Sequence, residues 1–339
     1  MLPPNSVCIT CIGSTIGKPC VTKVRSITNQ QINSIIPNDK NDYRYIYYLL
    51  RVNLPYLQLI GGGSGSGTPI ISKNKFAKFK FLVEDELTSQ HRIASVLYVY
   101  DNLIENNNKR IRLLEQMAEN LYKEWFVRFR FPGHEKVEME NGLPKGWNIA
   151  PLSSEYNTTS GGTPSRTNMS YYSGSIPWIK TGELQGTFIL DTEEHITDEA
   201  VRKSSAKFIP AYSLLIAMYA GANVGNIGIN SIPATCNQAC CVITTKGRYP
   251  LYYLMFFLQT QKGFLQSISF GAAQQNISQD IIKKLKVILP PVSLCDTFNE
   301  IVSPYLHQCE MLMKQNLILK KQRDLLLPRL MSGKLEVNA

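Results

Sequence analysis

The sequence predicts a mixed α/β protein built twice over: two lobes of short strands and helices, separated by two long helices that pair as an antiparallel coiled coil. Three observations predict it. The segment Gly13-Ser14-Thr15-Ile16-Gly17 follows an apolar run, and Gly221-Ala222-Asn223-Val224-Gly225 does so again 208 residues later. Asn29-Gln30 recurs as Asn237-Gln238 at the same offset. Each lobe then runs into a heptad segment, the two offset by 205 residues. A shared order of weak matches marks an internal repeat.

The elements follow in order. Residues 7–12 and 214–219 read as short strands, each followed by turns rich in Gly, Asn and Ser. Residues 43–52 and 251–261 read as short helices. Residues 65–72 match residues 271–278 and lead into alternating apolar stretches, Phe76, Phe79 and Phe81 in one copy and Ile282, Leu285 and Val287 in the other. The first heptad seam is Ile93, Leu97, Tyr100, Ile104, Asn107, Ile111, Leu114, Ala118, Leu121 and Trp125. The second is Phe298, Val302, Tyr305, Cys309, Leu312, Asn316, Leu319, Arg323 and Leu326. Steps of four and three make one stripe that must pack on another helix, and a buried Asn in each stripe fixes register at some cost in stability. The first helix could run about 35 residues, or roughly 50 Å, more than one small lobe can cover. Ser303-Pro304 suits a helix start, so the second helix is expected from Pro304, with 294–303 a separate turn, Pro328 as its end and Gly333 as its exit. The domains are then 1–85, a partial first lobe; 86–131, a central helix; 132–146, a polar linker; 147–291, the second lobe; and 292–339, a C-terminal helix and tail. Residues 147–209 precede the second lobe's strand and have no counterpart before Val7, so the first lobe reads as N-terminally truncated.

Composition narrows the class. Of 339 residues, 44% are hydrophobic and 18% charged, which places the chain among globular proteins. The net charge of +10 fits a nucleic-acid partner and equally a soluble protein that happens to be basic. No apolar run approaches the roughly 20 residues of a membrane span, and the start lacks a basic-then-apolar signal. The chain therefore reads as cytoplasmic, its eight cysteines as free thiols.

Catalytic patterns are wanting. Gly13 to Lys18 is one residue short of a phosphate loop, and Pro19 stands where Ser or Thr would hold magnesium. Cys8-Ile9-Thr10-Cys11 looks like half a zinc site, but its repeat partners are Leu215 and Met218, so apolar packing explains it better. His91, His134, His195 and His307 are scattered, and no Asp/Asn-Pro-Pro-Tyr/Phe motif for amino-methyl transfer occurs. The chain is read as non-catalytic, with no metal or cofactor of its own.

At this point the sequence resembles the specificity subunit of type I restriction–modification systems, over nearly its whole length. Leu143-Pro144-Lys145-Gly146-Trp147 resembles the entry into a target recognition domain. Ser160-Gly161-Gly162-Thr163-Pro164-Ser165 and Ile176-Pro177-Trp178-Ile179-Lys180-Thr181-Gly182-Glu183-Leu184 resemble its first two loops. Gln274-Gln275-Asn276-Ile277-Ser278, leading to Leu289-Pro290-Pro291, resembles its closing segment. Leu121-Tyr122-Lys123-Glu124-Trp125-Phe126 resembles the end of the central helix, and the stretch from Arg323 to Gly333 the C-terminal tail. The resemblance implies two target recognition domains held on a helix pair, each reading half of a bipartite site in double-stranded DNA. It implies methylation (M) subunits docked on the helices and motor-nuclease (R) subunits beyond them, with S-adenosylmethionine, ATP and magnesium belonging to those partners.

Residue types then nominate the readers. Arg and Lys suit phosphates and guanine, Asn and Gln suit adenine, and hydroxyls serve either. In the second lobe the candidates are Thr163, Ser165, Arg166, Lys180, Asn223, Gln274, Gln275 and Asn276; in the first they are Lys18, Asn29, Ser66 and Lys73. Each could equally be a residue that only shapes its loop. Asn29 and Asn237, shared by both copies, fit that role best. The competing function is an interaction remnant that self-associates to complete its first lobe, or docks methylation subunits, without reading DNA.

Overall fold

The structure is a computed structural model that describes residues 1–61, 70–219, 221–270 and 276–337. The chain divides into two compact units, residues 1–107 with 315–339 (unit 1) and residues 108–314 (unit 2). Unit 1 holds β1 (Val7–Thr10), β2 (Pro19–Val21), β3 (Ile32–Ile35), α1 (Tyr43–Val52), α2 (Leu54–Gly61), α3 (Lys73–Ala77) and the first part of α4 (Leu87–Tyr122). Unit 2 takes up the rest of α4 and a π turn at Lys123–Val127, followed by β4 (Met139–Glu140), β5 (Leu143–Pro144), β6 (Asn148–Pro151), α5 (Leu152–Glu155), β7 (Tyr156–Ser160), β8 (Ile176–Ile179), β9 (Phe188–Ile189), β10 (His195–Ile196) and α6 (Asp198–Arg202). It continues through β11 (Leu214–Ala217), β12 (Ile227–Asn230), β13 (Thr235–Cys236), β14 (Cys240–Thr245), α7 (Leu251–Phe270), α8 (Gln279–Lys284), β15 (Lys286–Leu289) and most of α9 (Val292–Met331), whose last part belongs to unit 1. Among the described residues no helix is long and apolar enough to cross a membrane.

The duplication is built into the sheets. Unit 1 has the order β2-β1-β3; unit 2 has β7-β14-β11-β12-β9, with β12-β11-β14 at its centre. The registers agree pair for pair. Val7 faces Val21 and Ile35 as Leu214 faces Ile229 and Ile243. Ile9 faces Pro19 and Asn33 as Ile216 faces Ile227 and Cys241. Alternation sends Val7 and Ile9 to one face, where Leu50, Leu57 and Ile71 close the core of unit 1. Leu214 and Ile216 do the same in unit 2 against Tyr253, Leu254 and Phe257 of α7. On the opposite face of unit 2 a second cluster joins Leu215, Ala217 and Val242 to Ile179, Leu184, Ile189 and Ile209.

Local signals set the helix starts. Asp42 caps α1, accepting from Arg44 N at 2.6 Å and Tyr45 N at 3.4 Å. Ser72 and Ser278 cap α3 and α8 alike, accepting from Lys75 N at 3.2 Å and Ile281 N at 3.3 Å. These two serines stand at equivalent places in the repeat.

The heptad stripes meet within each unit. In unit 1, Leu97, Ile104, Asn107, Asn316 and Leu319 are buried, and Ile93, Tyr100 and Leu326 partly so. Asn107 Nδ2 donates to Asn316 Oδ1 and to Gln315 Oε1, both at 3.0 Å. The buried Arg323 pairs with Asp101 and lies 2.9 Å from Asp324. In unit 2, Ile111, Ala118, Tyr122 and Trp125 pack with Phe298, Val302, Leu306, Cys309 and Leu312, while Leu114 and Tyr305 are partly buried against them. Rising numbers on α4 meet falling numbers on α9 in both units, so the pair is antiparallel. Trp125 packs tilted and Phe126 edge-to-face against Phe298 near the start of α9, 6.1 and 5.1 Å between ring centres.

Several expectations are corrected. The second helix begins at Val292 and runs through Pro304 without a break. Pro304 leaves the carbonyl four residues back without its donor, a cost of about 3 kcal/mol in a helix interior. Phe298, Val302, Leu306 and Cys309 on either side are fully buried, and that packing outweighs it. Pro328 likewise lies inside the last turns, with Gly333 beyond in the left-handed region. The helix expected over 251–261 extends to Phe270. The first strand stops at Thr10, because the turn opened by Gly13 takes the chain away, and Ile12 makes only an isolated bridge to Ile70.

Candidate nucleic-acid interface

The candidate residues gather on loops at one end of the equivalent strands. In unit 1, Cys11 N donates to Gln31 O at 2.8 Å, Ile71 N to Cys11 O at 2.8 Å and Gly17 N to Thr10 O at 2.8 Å. In unit 2, Met218 N donates to Ala239 O at 2.8 Å, Ile277 N to Met218 O at 2.9 Å and Gly225 N to Ala217 O at 3.0 Å. These are the same three bonds, one copy to the other. The recurring Gly-x-x-x-Gly now has its reason: Gly13 and Gly17, like Gly221 and Gly225, sit at positive φ, where a side chain strains the turn.

Asn29 and Asn237 hold equivalent turns. Asn29 Oδ1 accepts from Gln31 N at 3.0 Å, and Asn237 Oδ1 accepts from Ala239 N at 3.2 Å. Lys18 is exposed on the loop between β1 and β2, and Lys73 is exposed in the first turn of α3. Asn223 is half-buried in the turn between β11 and β12, and Asn276 half-buried just before Ile277. Ser66, Gln274 and Gln275 lie outside the described residues.

Unit 2 adds a loop after β7. A Cβ on Gly161 would lie 2.1 Å from Cys236 O, and one on Gly162 2.2 Å from the Ser205 carbonyl carbon, so the chain can pass here only as glycine. Trp178 Nε1 donates to Gly162 O at 3.0 Å, and the Tyr172 hydroxyl donates to Pro164 O at 2.6 Å. The Thr163 hydroxyl donates to Gln238 Oε1. Ser165 Oγ lies 2.7 Å from Thr167 Oγ1. Arg166 stacks over Tyr172, 4.0 Å to the ring centre, and over Trp178 at 5.1 Å. Its Nη1 is 2.7 Å from Glu194 Oε2, and Lys180 Nζ is 3.0 Å from Glu194 Oε1 and 3.1 Å from Glu193 Oε2. The structure thus brings Thr163, Ser165, Arg166 and Lys180 to one loop cluster.

The electrostatics of this cluster are paired. The Arg166 guanidinium, with Lys180 behind it, holds the Glu194 carboxyl below its ordinary range despite partial burial. Glu194 in turn raises the Lys180 ammonium. A phosphate at this cluster would compete with Glu194 for Arg166, and with Glu193 and Glu194 for Lys180. Neither acid was among the sequence candidates. Both lie 13 or more residues from their partners, and no periodicity links them. Gln238 was visible as part of the repeated Asn-Gln pair, but not as the partner of Thr163.

Cys8 and Cys11, which resemble half a zinc site, are buried, as are Cys236, Cys240 and Cys241 of the second lobe. Burial pushes the Cys236 and Cys241 thiols up to about 12, so they stay protonated. Among the described residues no group of three or more His, Cys, Asp or Glu side chains is placed to hold a metal ion.

Known proteins match this architecture. The family model for the type I restriction modification DNA specificity domain matches residues 1–116 and 144–317. The type I restriction enzyme MjaIX specificity subunit of Methanocaldococcus jannaschii is 28% identical over 334 residues, 95% of this chain and 76% of the relative. The HindI specificity subunit of Haemophilus influenzae is 23% identical over 367 residues, covering 89% and 78%. A solved S subunit of the type I restriction-modification system of M. genitalium shares the fold, with a TM-score of 0.62 at 16% identity over 98% of this chain and 84% of that one. The chain belongs to the family of type I restriction modification DNA specificity domains.

Proposed function

We propose that this chain sets the DNA sequence at which a type I restriction–modification complex acts, each unit reading one part of a bipartite target. The observation that carries this reading is the pairing of a constant scaffold with changed loop chemistry. Three strands and three strand-end hydrogen bonds recur, yet Lys18 stands where the other copy has Asn226, and Thr15 where it has Asn223. A module that keeps its frame and varies its loop side chains suits recognition of different bases by one fold.

The chain works here as a non-catalytic cytoplasmic subunit. Methylation and motor-nuclease subunits supply the chemistry, and S-adenosylmethionine, ATP and magnesium belong to them. Lys18, Lys73, Lys180 and Arg166 contribute phosphate or guanine contacts, while Thr163, Ser165, Asn223 and Asn276 supply polar groups for base edges. Among the described residues of unit 1 nothing corresponds to β7 or β9, and that favours a second reading, in which unit 1 serves assembly or self-association while unit 2 alone reads DNA.

Selection from a random duplex library, repeated at several salt concentrations, tests the function. The expected outcome is an enriched two-part motif with a spacer of fixed length, superimposed on a salt-sensitive background. Enrichment of one part only supports the second reading. Binding that shows salt dependence and no sequence preference overturns both.

A further inference from the structure

The loop cluster of unit 2 holds one cation in a fixed pose. The Arg166 guanidinium carbon lies 4.0 Å from the ring centre of Tyr172 and 5.1 Å from that of Trp178. Both rings are themselves tied down. The Tyr172 hydroxyl donates to Pro164 O at 2.6 Å and Trp178 Nε1 to Gly162 O at 3.0 Å, and the two rings meet edge to face, 5.6 Å between centres. Arg166 Nη1 is 2.7 Å from Glu194 Oε2, an oxygen shut off from solvent. Glu194 is fixed in turn. Lys180 Nζ lies 3.0 Å from its Oε1, and its backbone carbonyl accepts from Trp178 N at 3.0 Å and from the Thr192 hydroxyl at 2.7 Å. Among the described residues Arg166 has no further hydrogen-bonding or ionic partner, and its side chain is half-exposed. Its Nε and Nη2 donors, the side-on fork of the guanidinium, are therefore available to a ligand. The cluster belongs to the same strand end as the other candidates of unit 2. Asn237 N donates to Ile179 O at 2.9 Å, the Thr163 hydroxyl donates to Gln238 Oε1, and Met218 N donates to Ala239 O at 2.8 Å in the same turn.

We propose that Arg166 reads a guanine in the part of the target met by unit 2, and that Glu194 is the positioning residue that aims it. The inference rests on the DNA-reading function proposed above and deepens it by assigning one residue to one base. Two considerations favour a base edge over a phosphate. Glu194 already neutralises the guanidinium, so Arg166 offers a backbone phosphate little net charge. Drawing Arg166 away to a phosphate would also leave Glu194 Oε2 shielded from water without its cation, and an uncompensated buried charge is strongly unfavourable. Guanine demands neither. Its O6 and N7 are neutral acceptors spaced for two parallel donors, which is what Nε and Nη2 present. A side chain already held by stacking and an ion pair also loses little freedom on binding. Lysine cannot take this role, since an ammonium has no planar fork and no face to stack. Lys180 holds the other oxygen of Glu194 and so keeps the carboxylate turned towards Arg166.

The test selects motifs from a random duplex library with the full chain, its Arg166→Lys form and its Glu194→Gln form, and follows binding of one selected and one unrelated duplex over a salt series. The unaltered chain should require a guanine at one base pair that depends on Arg166. Arg166→Lys keeps the charge and loses the fork. Its preference for that guanine should fall about tenfold or more, at that position alone, with the salt slope as it was. Glu194→Gln releases the cation from its carboxylate. Preference at the same base pair should fall about threefold to tenfold, while unrelated DNA binds more tightly and its salt slope steepens by about one. A glutamate that merely supports the fold would instead lower affinity for every duplex alike. An unchanged motif in Arg166→Lys overturns the proposal, because a charge contact is then all that Arg166 makes. Loss of preference at an A·T pair does the same, as does full guanine preference in Glu194→Gln or a uniform loss over all duplexes in either variant. An unaltered chain that selects no motif overturns this inference together with the function beneath it, whereas a selected motif with any of those results overturns the inference alone.

Discussion

The two copies of the sheet agree on one face and differ on the other. Towards the helices, Val7 and Ile9 in unit 1 match Leu214 and Ile216 in unit 2, all buried. On the far face, Thr10, Cys20 and Ser34 stand where unit 2 has Ala217, Gly228 and Val242. In unit 2 that face is covered: a Cβ on Gly228 would meet Ile189 Cδ1 at 2.9 Å and Leu184 Cδ2 at 3.3 Å, and Val242 is 1% exposed. In unit 1 the same positions are partly or wholly exposed, and they are polar. Side-chain polarity thus follows what covers each face, while strand register follows the shared turns and the helix-facing core.

The largest effect expected from this comparison lies in the second core. Phe298 is fully buried among Tyr122, Trp125, Phe126 and Phe256. Phe298→Ala should cost about 3–5 kcal/mol in urea unfolding. Its counterpart Ile93 is only partly buried, and Ile93→Ala should cost about 1–2 kcal/mol on the same mechanism. Equal losses would break the view that unit 2 carries the deeper core.

A reciprocal exchange on the outer face sharpens the point. Val242→Ser puts an unpartnered hydroxyl under Leu184 and Ile189 and should destabilise by about 2–4 kcal/mol. Ser34→Val adds apolar surface to a half-exposed position and should change stability by no more than about 0.5 kcal/mol. Similar values for the two would mean that cover does not distinguish the faces.

Acid should separate the helix starts. α1 is capped by Asp42, whereas α7 is preceded by Pro250. Burial raises the Asp42 carboxyl, but hydrogen bonds from Arg44 outweigh this and hold it below its ordinary value of 3.8. A depressed carboxyl stabilises above its unfolded value and loses that contribution as pH falls through the folded one. The cap's share, about 1 kcal/mol, should therefore disappear from unit 1 below pH of about 4, be absent in Asp42→Ala at any pH, and persist without acid loss in Asp42→Asn, whose amide oxygen caps as well. Exchange at the α1 amides against those of α7 reads it. Parallel acid loss in both helices would rule the cap out as the cause.

The smallest expected effect concerns Asn29 and Asn237. Each holds the same turn, so Asn29→Ala and Asn237→Ala should each cost about 0.5–1 kcal/mol and leave base preference unchanged. A shift in the selected DNA motif for either variant would make it a reader.

The Glu194 pairs show where local reasoning stops. Arg166 and Lys180 were legible as cations in loops, but their shared carboxylate was not, because the chain folds back between them. The proline at 304 teaches the same lesson in reverse: a strong local helix-breaking signal yields to Phe298, Val302 and Leu306 packing on either side.

By itself the sequence determined the duplication, the span of α1, the places of β1 and β11, and the stripes of α4 and α9. Those features depend on period, turn chemistry and capping, which act between residues a few positions apart. Only the tertiary structure decided that α9 passes through Pro304, that two acids hold the candidate cations, and that Ile189 and Leu184 cover the far face of the sheet in unit 2. These outcomes depend on burial and on partners far along the chain, whose free energies exceed the local preferences they override.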